Sequence, residues 1–367
     1  MTIDVLRLLR LPSPPLLGLD ISPDAVKLVE LSRSRGKLRV EHADSETLPP
    51  GAVNDRDIQD AEAVRCALRV ILERSRIRTK AVATALPANT AIVKVISLPG
   101  DLDEVAIEEQ IRFESGQYIP YSMDAVNFDF AVLGPDAIRK GYNHILLVAC
   151  KKEAVEDRAA VLEEAGLKPR VIDVKPFALW LLHEHLARVS PLPGCNPQER
   201  NTPGGAVVLV EMGSATTNIY VFQEGHPVYS REHNFGLSRL IEEIQRRYGL
   251  DVNDAQRMER FGGLPPEYGR DVLSPFARSM AQELFRSLDF FQASMPDIPA
   301  GSVHLFGVGA RIPQLAEQLR QLVNFPVYVP DPFAGMEMAP QISRRFMDAD
   351  RSSLAVACGL ALRRISA

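Results

Sequence analysis

Residues 16–31, LLGLDISPDAVKLVEL, read as two apolar strands joined by the turn Ser22-Pro23-Asp24, and residues 206–222, AVVLVEMGSATTNIYVF, spell the same device again. In both copies an acidic residue, Asp20 or Glu211, ends the first strand just before a turn of small or turn-forming residues. The two acids lie 191 positions apart. A pattern this short recurs by chance, so its weight as a sign of duplication depends on what surrounds it.

Working outward, short apolar strands alternate with amphipathic helical segments, which predicts an α/β protein with largely covered sheets. Residues 61–74 have helical spacing, and 81–86 and 91–98 read as strands. Asp101 with Glu104 resembles a capping box opening a helix to about Tyr118, with Ile107, Ile111 and Tyr118 on one face. Residues 128–133 and 144–149 read as strands, and a helix from Lys152 stops at Gly166 before a strand over 170–174. Residues 190–205 hold four prolines and three glycines in 16 positions, a composition that packs no core and marks the boundary between two halves. In the second half, residues 275–294 align Phe276, Met280, Leu284, Leu288 and Phe291 along one helical stripe, read as core.

A chain of 367 residues has room for about two domains. Its 46% hydrophobic and 24% charged residues are ordinary for a globular protein, which excludes disordered and fibrous classes. The net charge of -5 offers no basic field for nucleic acid. Cys66, Cys150, Cys195 and Cys358 form no CxxC pair, which suits a reducing compartment. No apolar run approaches the roughly 18 residues of a membrane span. Residues 1–15 form an N-terminal arm, interrupted by Asp4, Arg7 and Arg10, that does not read as a signal peptide.

Tight turns present backbone N–H groups that bind phosphate oxygens, and small residues let the phosphate approach. Ser22 in the first turn and Gly213 and Ser214 in the second are candidates for this role. Facing each other across a cleft, Asp20 and Glu211 would hold a hydrated Mg²⁺, which needs only one or two protein carboxylates beside the phosphates. Lys27 would reach the phosphate chain as a point charge. The plainer alternative makes Asp20 and Glu211 solvent-facing strand ends and Lys27 an exposed strand lysine. A third element, residues 305–313, is an apolar strand entering a turn with Gly307 and Gly309, then a helix with Pro313 near its start. Its backbone is suited to pass beside a nucleoside, although a lone GxG serves equally as a plain connection. His183 and His185, two apart on a helix, point to different faces and make a poor metal pair.

Taken in order, these motifs resemble the PilM family, the actin-like cytoplasmic proteins of type IV pilus assembly, from about Leu16 to Arg364. The first strand and turn are followed by LPPGAV at 48–53, QYIPY at 117–121, NFDF at 127–130, VIDV at 171–174 with FAL at 177–179, RSLDFF at 286–291 and ACGLAL at 357–362. QYIPY is the most specific of these and is not expected in sugar kinases or Hsp70-like chaperones. The resemblance implies a duplicated, RNase H-like, two-lobed actin fold with a small α+β subdomain of the FtsA type inserted at 87–149. Residues 16–86 and 150–189 would form the first lobe, 190–205 the linker and 206–367 the second lobe. It further implies an ATP and Mg²⁺ cleft, with Gly307, Gly309 and Arg311 on the adenosine side and Glu242 or Glu243 near the ribose or base. The implied partner is the N-terminal tail of PilN, beneath the inner membrane, with a ring or dimer as the assembly. Ile96, Leu98, Phe113, Tyr118 and Phe128 are the apolar candidates for the peptide groove, or for the inserted subdomain's core.

Departures from the family pattern point to a weakened cleft. Pro23 removes one N–H from the first turn, and Glu211 replaces Asp. Leu237 and Ile241 stand where Gly and Thr are usual, Val308 interrupts the glycine run, and Lys175 stands where an acid is common. Hydrolysis suffers more than binding from such changes, because chemistry needs tighter positioning. Two other readings compete. A phosphotransferase of the actin and sugar-kinase superfamily needs a carboxylate base, for which Asp173 is the candidate. A type II secretion platform protein would be expected to continue into a membrane helix.

Overall fold

Three neighbouring parallel strands, β1 (Leu17–Ile21), β4 (Ala81–Leu86) and β8 (Lys168–Val174), give the first half of the protein its frame. The computed structural model describes residues 16–34, 37–54, 56–136, 138–189 and 205–363. The N-terminal arm and the expected linker, apart from Gly205, lie outside the described residues. The strands in between are β2 (Ala25–Ser34), β3 (Lys37–Thr47), β5 (Ala91–Pro99), β6 (Val126–Pro135) and β7 (Tyr142–Lys151). The chain divides into two compact units, one of residues 1–26, 45–178 and 360–367, the other of residues 27–44 and 179–359.

In the first unit β1 runs beside β4 with Leu19 opposite Thr84, and β4 beside β8 with Ala85 opposite Asp173. Leu17, Leu19, Val82 and Ala85 are all buried, as strands covered on both faces require. Helix α1 (Ala61–Ser75) starts at Asp60, whose side chain accepts from the Ala63 N–H, and buries Val64, Leu68 and Ile71 at helical spacing.

The residues between β4 and β8 build a small three-stranded antiparallel sheet in the order β5-β7-β6, backed by α2 (Glu104–Phe113) and the single turn α3 (Ser115–Tyr118). The α2 cap is Asp103, which accepts from the Ala106 N–H, and the helix ends at Glu114. This corrects the expected start at Asp101 and the expected unbroken helix to Tyr118. Ile107 and Ile111 close the core against Ile145 and Leu147 of β7. Helix α4 (Lys152–Glu164) then ends before Gly166, whose φ of +79° is the left-handed stop the sequence implies. Helix α5 (Lys175–Val189) follows β8 directly.

The second unit repeats the strand-turn-strand device with β9 (Ala206–Met212) and β10 (Thr217–Gln223), extended by β11 (His226–His233). Strand β12 (Ala300–Phe306) lies parallel to β9, and β13 (Val327–Tyr328) parallel to β12, giving the order β11-β10-β9-β12-β13. The short β14 (Glu337–Met338) pairs with β3 at Arg39 and Val40. Helices α6 (Ser238–Tyr248), α7 (Val252–Phe261) and α8 (Ser274–Ser294) cover the sheet. Met280, Leu284, Leu288 and Phe291 of α8 are buried, as their stripe predicts. Pro313 stands near the start of the helix Leu315–Arg320, two residues before it, and a one-turn 3₁₀ segment at Val308–Arg311 comes first.

Cys66, Cys150 and Cys358 are free, and burial pushes the Cys150 thiol up to about 11, far from a reactive thiolate. Among the described residues no helix is long and apolar enough to cross a membrane.

His304 on β12 is 1% exposed, with ring centroids 4.6 Å from His183 and 5.2 Å from Tyr328. Burial holds its pKa well below 6.5, and His183 adds to the depression. The ring is therefore neutral when folded, whereas the unfolded chain takes up a proton below about 6.5. Stability is full above that pH and falls as the pH drops below it, by up to about 1.4 kcal/mol per unit. Guanidinium unfolding at a series of acidic pH values is expected to show this slope, and His304→Phe to reduce it by about one proton. His185 and His233 are shifted the same way by burial and add to the slope.

Candidate functional site

The first turn is closed by Ser22 N–H donating to the Ala25 carbonyl at 3.0 Å. Ser22 Oγ donates to Asp20 Oδ2 at 2.8 Å. Asp20, Ser22 and Lys27 are all buried, so the alternative of solvent-facing strand residues does not hold. Asp20 lies at the carboxyl end of a parallel strand, the side on which open α/β sheets carry their ligands.

Asp20 is already paired with a cation of its own unit. Its Oδ1 lies 3.3 Å from the ammonium of Lys175 at the start of α5. Arg158 of α4 is 2% exposed and senses the Asp20 charge, and burial lowers its pKa only to about 10, so the guanidinium stays protonated at neutral pH. Sequence reasoning missed Arg158. The signal was present, because Val155, Arg158, Ala159 and Leu162 share the buried face of α4 and a cation on such a stripe calls for a reason.

In the second unit Glu211 is buried and accepts from the Tyr220 hydroxyl at 3.0 Å. Gly213 N–H donates to the Thr216 carbonyl at 2.8 Å, closing the second turn as Ser22 closes the first. The carbonyls of Gly213 and Ser214 accept from Leu237 N–H at 3.2 Å and Ser238 N–H at 2.8 Å, so the start of α6 is pinned to the turn. Gly236 makes this possible, since a Cβ there would sit 2.3 Å from the Ser214 carbonyl oxygen. Both turns thus spend one backbone donor on closure, leaving fewer for a phosphate.

Gly307 and Gly309 have a structural use that their GxG pattern did not announce. A Cβ on Gly307 would lie 2.5 Å from the Met212 carbonyl oxygen, and one on Gly309 2.9 Å from the Met212 side chain. The connection after β12 is therefore pressed against the end of β9, one residue before the second turn. Arg311 is ion-paired with Glu259 of α7, and Glu242 is an exposed residue of α6.

Of the apolar candidates in the small subdomain, Ile96 and Leu98 lie in its core, because the inward face of β5 points at α2. Of the two roles the sequence leaves open for them, groove or core, these two residues take the core. Tyr118 is half-buried, its hydroxyl donating to Glu114 at 2.6 Å, and burial, with that carboxylate, raises its pKa to about 12. Phe128 packs against the core with the Arg112 guanidinium 4.9 Å above its ring. Phe113, at the end of α2, is 87% exposed.

Asp173 is 1% exposed and accepts from Arg363 Nε at 2.5 Å and from the Val174 N–H at 2.7 Å. A carboxylate tied to a guanidinium is a poor general base, which disfavours the phosphotransferase reading. Among the described residues no group of three or more His, Cys, Asp or Glu is placed to hold a metal ion.

A family model for the type IV pilus assembly protein PilM matches residues 18–365. A solved structure described as the PilM-PilN type IV pilus biogenesis complex is 28% identical, covers 96% of this chain and 99% of its own, and superposes with a TM-score of 0.75. The ethanolamine utilization protein EutJ from Carboxydothermus hydrogenoformans is 15% identical over 98% of this chain and 95% of its own, with a TM-score of 0.55, a likeness of fold. The duplicated strand-turn-strand sheets are those of the actin-like fold, as the sequence implies.

Proposed function

The chain belongs to the PilM family of type IV pilus assembly proteins, and from that premise we propose that it is a scaffold of the inner-membrane pilus platform that docks the N-terminal tail of PilN. The observation that carries the proposal is the likeness, over nearly the full length of both chains, to a PilM-PilN complex. The inserted subdomain is the proposed docking region. Phe113 and Val105 of α2, 87% and 67% exposed, offer apolar anchors without being needed for the fold. Attachment to the inner membrane would then be peripheral, through the partner, and assembly into a ring or dimer belongs to the same reading.

Nucleotide binding is the second part of the proposal. Asp20, Ser22 and Lys27 at the first turn, and Glu211, Gly213, Ser214, Gly307 and Gly309 at the second, are each proposed as nucleotide-binding residues, with Glu242 and Arg311 for the nucleoside. The fold family supports this reading, and the donors spent on turn closure favour weak binding over turnover.

A peptide of the PilN N-terminal tail, titrated into the purified chain by calorimetry, tests the scaffold. Saturable binding is expected at micromolar peptide. Phe113→Asp is expected to weaken it about tenfold or more while leaving thermal stability unchanged, because an exposed anchor contributes to binding and not to folding. No binding at high micromolar peptide would remove the proposal.

A further inference from the structure

Strands β1, β4 and β8 are parallel neighbours, so their carboxyl ends open on the same edge of the first unit's sheet. Asp20 is the last residue but one of β1, and Lys175 follows the last residue of β8, which carries the two side chains to that edge together. The ammonium lies 3.3 Å from Oδ1, with side-chain exposures of 10% and 3%. Oδ2 is engaged by Ser22 Oγ. Arg158 is 2% exposed and within electrostatic reach of Asp20, and its two terminal nitrogens meet no hydrogen-bond acceptor among the described residues. Asp57 and Asp157, which also act on Arg158, are exposed.

Magnesium demands a carboxylate oxygen at about 2.0–2.1 Å and octahedral waters around the rest of its shell. A dication brought to Asp20 would meet an ammonium already on Oδ1 and a buried guanidinium nearby, where low dielectric strengthens every like-charge repulsion. Asp20 therefore does not fit the metal. We infer that Lys175 and Arg158 stand in place of a divalent cation at Asp20, making the first turn a metal-independent subsite for an anionic phosphate group. The identity of that phosphate as part of a nucleotide rests on the nucleotide reading above, whereas the exclusion of metal does not.

Two readouts on the full chain separate these. The first is Mn²⁺ binding by electron paramagnetic resonance, with Mn²⁺ as a hard octahedral stand-in for Mg²⁺. The wild type is expected to show no saturable Mn²⁺ binding below about 1 mM, and Lys175→Ala to gain a site at least roughly tenfold tighter. Adding Asp20→Asn to that variant is expected to abolish the gained site. Should Lys175→Ala fail to fold, Lys175→Gln carries the same test. The second readout is a fluorescent ATP analogue titrated in Mg²⁺ and in EDTA, with inorganic phosphate as competitor. A dissociation constant that changes by less than about twofold between the two buffers supports the inference. Saturable wild-type Mn²⁺ binding that Asp20→Asn removes would overturn it, as would a loss of more than about tenfold in EDTA. Binding of phosphate without the analogue would support the subsite and reject the nucleotide. Binding of neither would overturn the anion half and leave the Mn²⁺ readout to decide the metal.

Discussion

Gly307→Val is expected to abolish the cooperative unfolding transition of the second unit, and Gly307→Ala to lower its stability by more than about 4 kcal/mol, a loss reserved for severe core damage. Gly307 has φ 89° and ψ -177°, a region that only glycine occupies readily and that costs any other residue roughly 1–3 kcal/mol. The added Cβ would also meet the Met212 carbonyl oxygen at 2.5 Å and its carbon and nitrogen at 3.0 Å. These are backbone atoms of a central strand, bound to β10 and β12 on either side, and they cannot yield as a flexible side chain would. Gly249→Ala is the control. It too has a positive φ, of 66°, at the end of α6, but a Cβ there would meet nothing within 4 Å. Its cost is the backbone conformation alone, about 1 kcal/mol. Guanidinium titrations of both variants by circular dichroism check the contrast, and equal losses would refute the close-approach account.

Arg363→Ala is expected to destabilise the first unit by about 3–5 kcal/mol, because it takes the guanidinium from the Asp173 carboxylate, 1% exposed, and leaves it the Val174 N–H as a donor. Replacing both partners, as Asp173→Asn with Arg363→Met, is expected to recover most of that loss, since no buried charge is then left unpaired. Burial already raises the Asp173 pKa above 3.8 while Arg363 pulls it down. Removing the guanidinium lets it rise further. A carboxyl group whose folded pKa is raised is most compatible with folding below its unfolded value and loses that advantage as the pH climbs through the folded one. The Arg363→Ala deficit is therefore expected to be larger at pH 8 than at pH 5. A deficit independent of pH would argue for lost packing instead of stranded charge.

How much could be read in advance differs from residue to residue. The two strand-turn-strand segments, the α8 stripe and the stop at Gly166 follow from period and turn chemistry, which act over a few neighbouring residues. The α2 start was misplaced by two residues because Asp101 and Asp103 are both plausible caps, and only the path of the chain out of β5 chooses between them. Ile96 and Leu98 were legible as apolar but not as inward-facing, since that depends on which face of β5 receives α2. The pair Asp20 and Lys175 was beyond sequence reasoning in a stronger sense.

Local order alone determined that this chain alternates strands and helices, that Asp20 and Glu211 close two like strands, and that its motifs are those of the PilM family. These properties live in side-chain periodicity and turn geometry, which need no distant partner. The tertiary structure alone decided what the carboxylates face: Lys175 at Asp20, Tyr220 at Glu211, Arg363 at Asp173. Parallel pairing brings strand ends together across more than a hundred residues of chain, and the charge state of a buried acid is set by those neighbours and by lost water, neither of which is written beside it in the sequence.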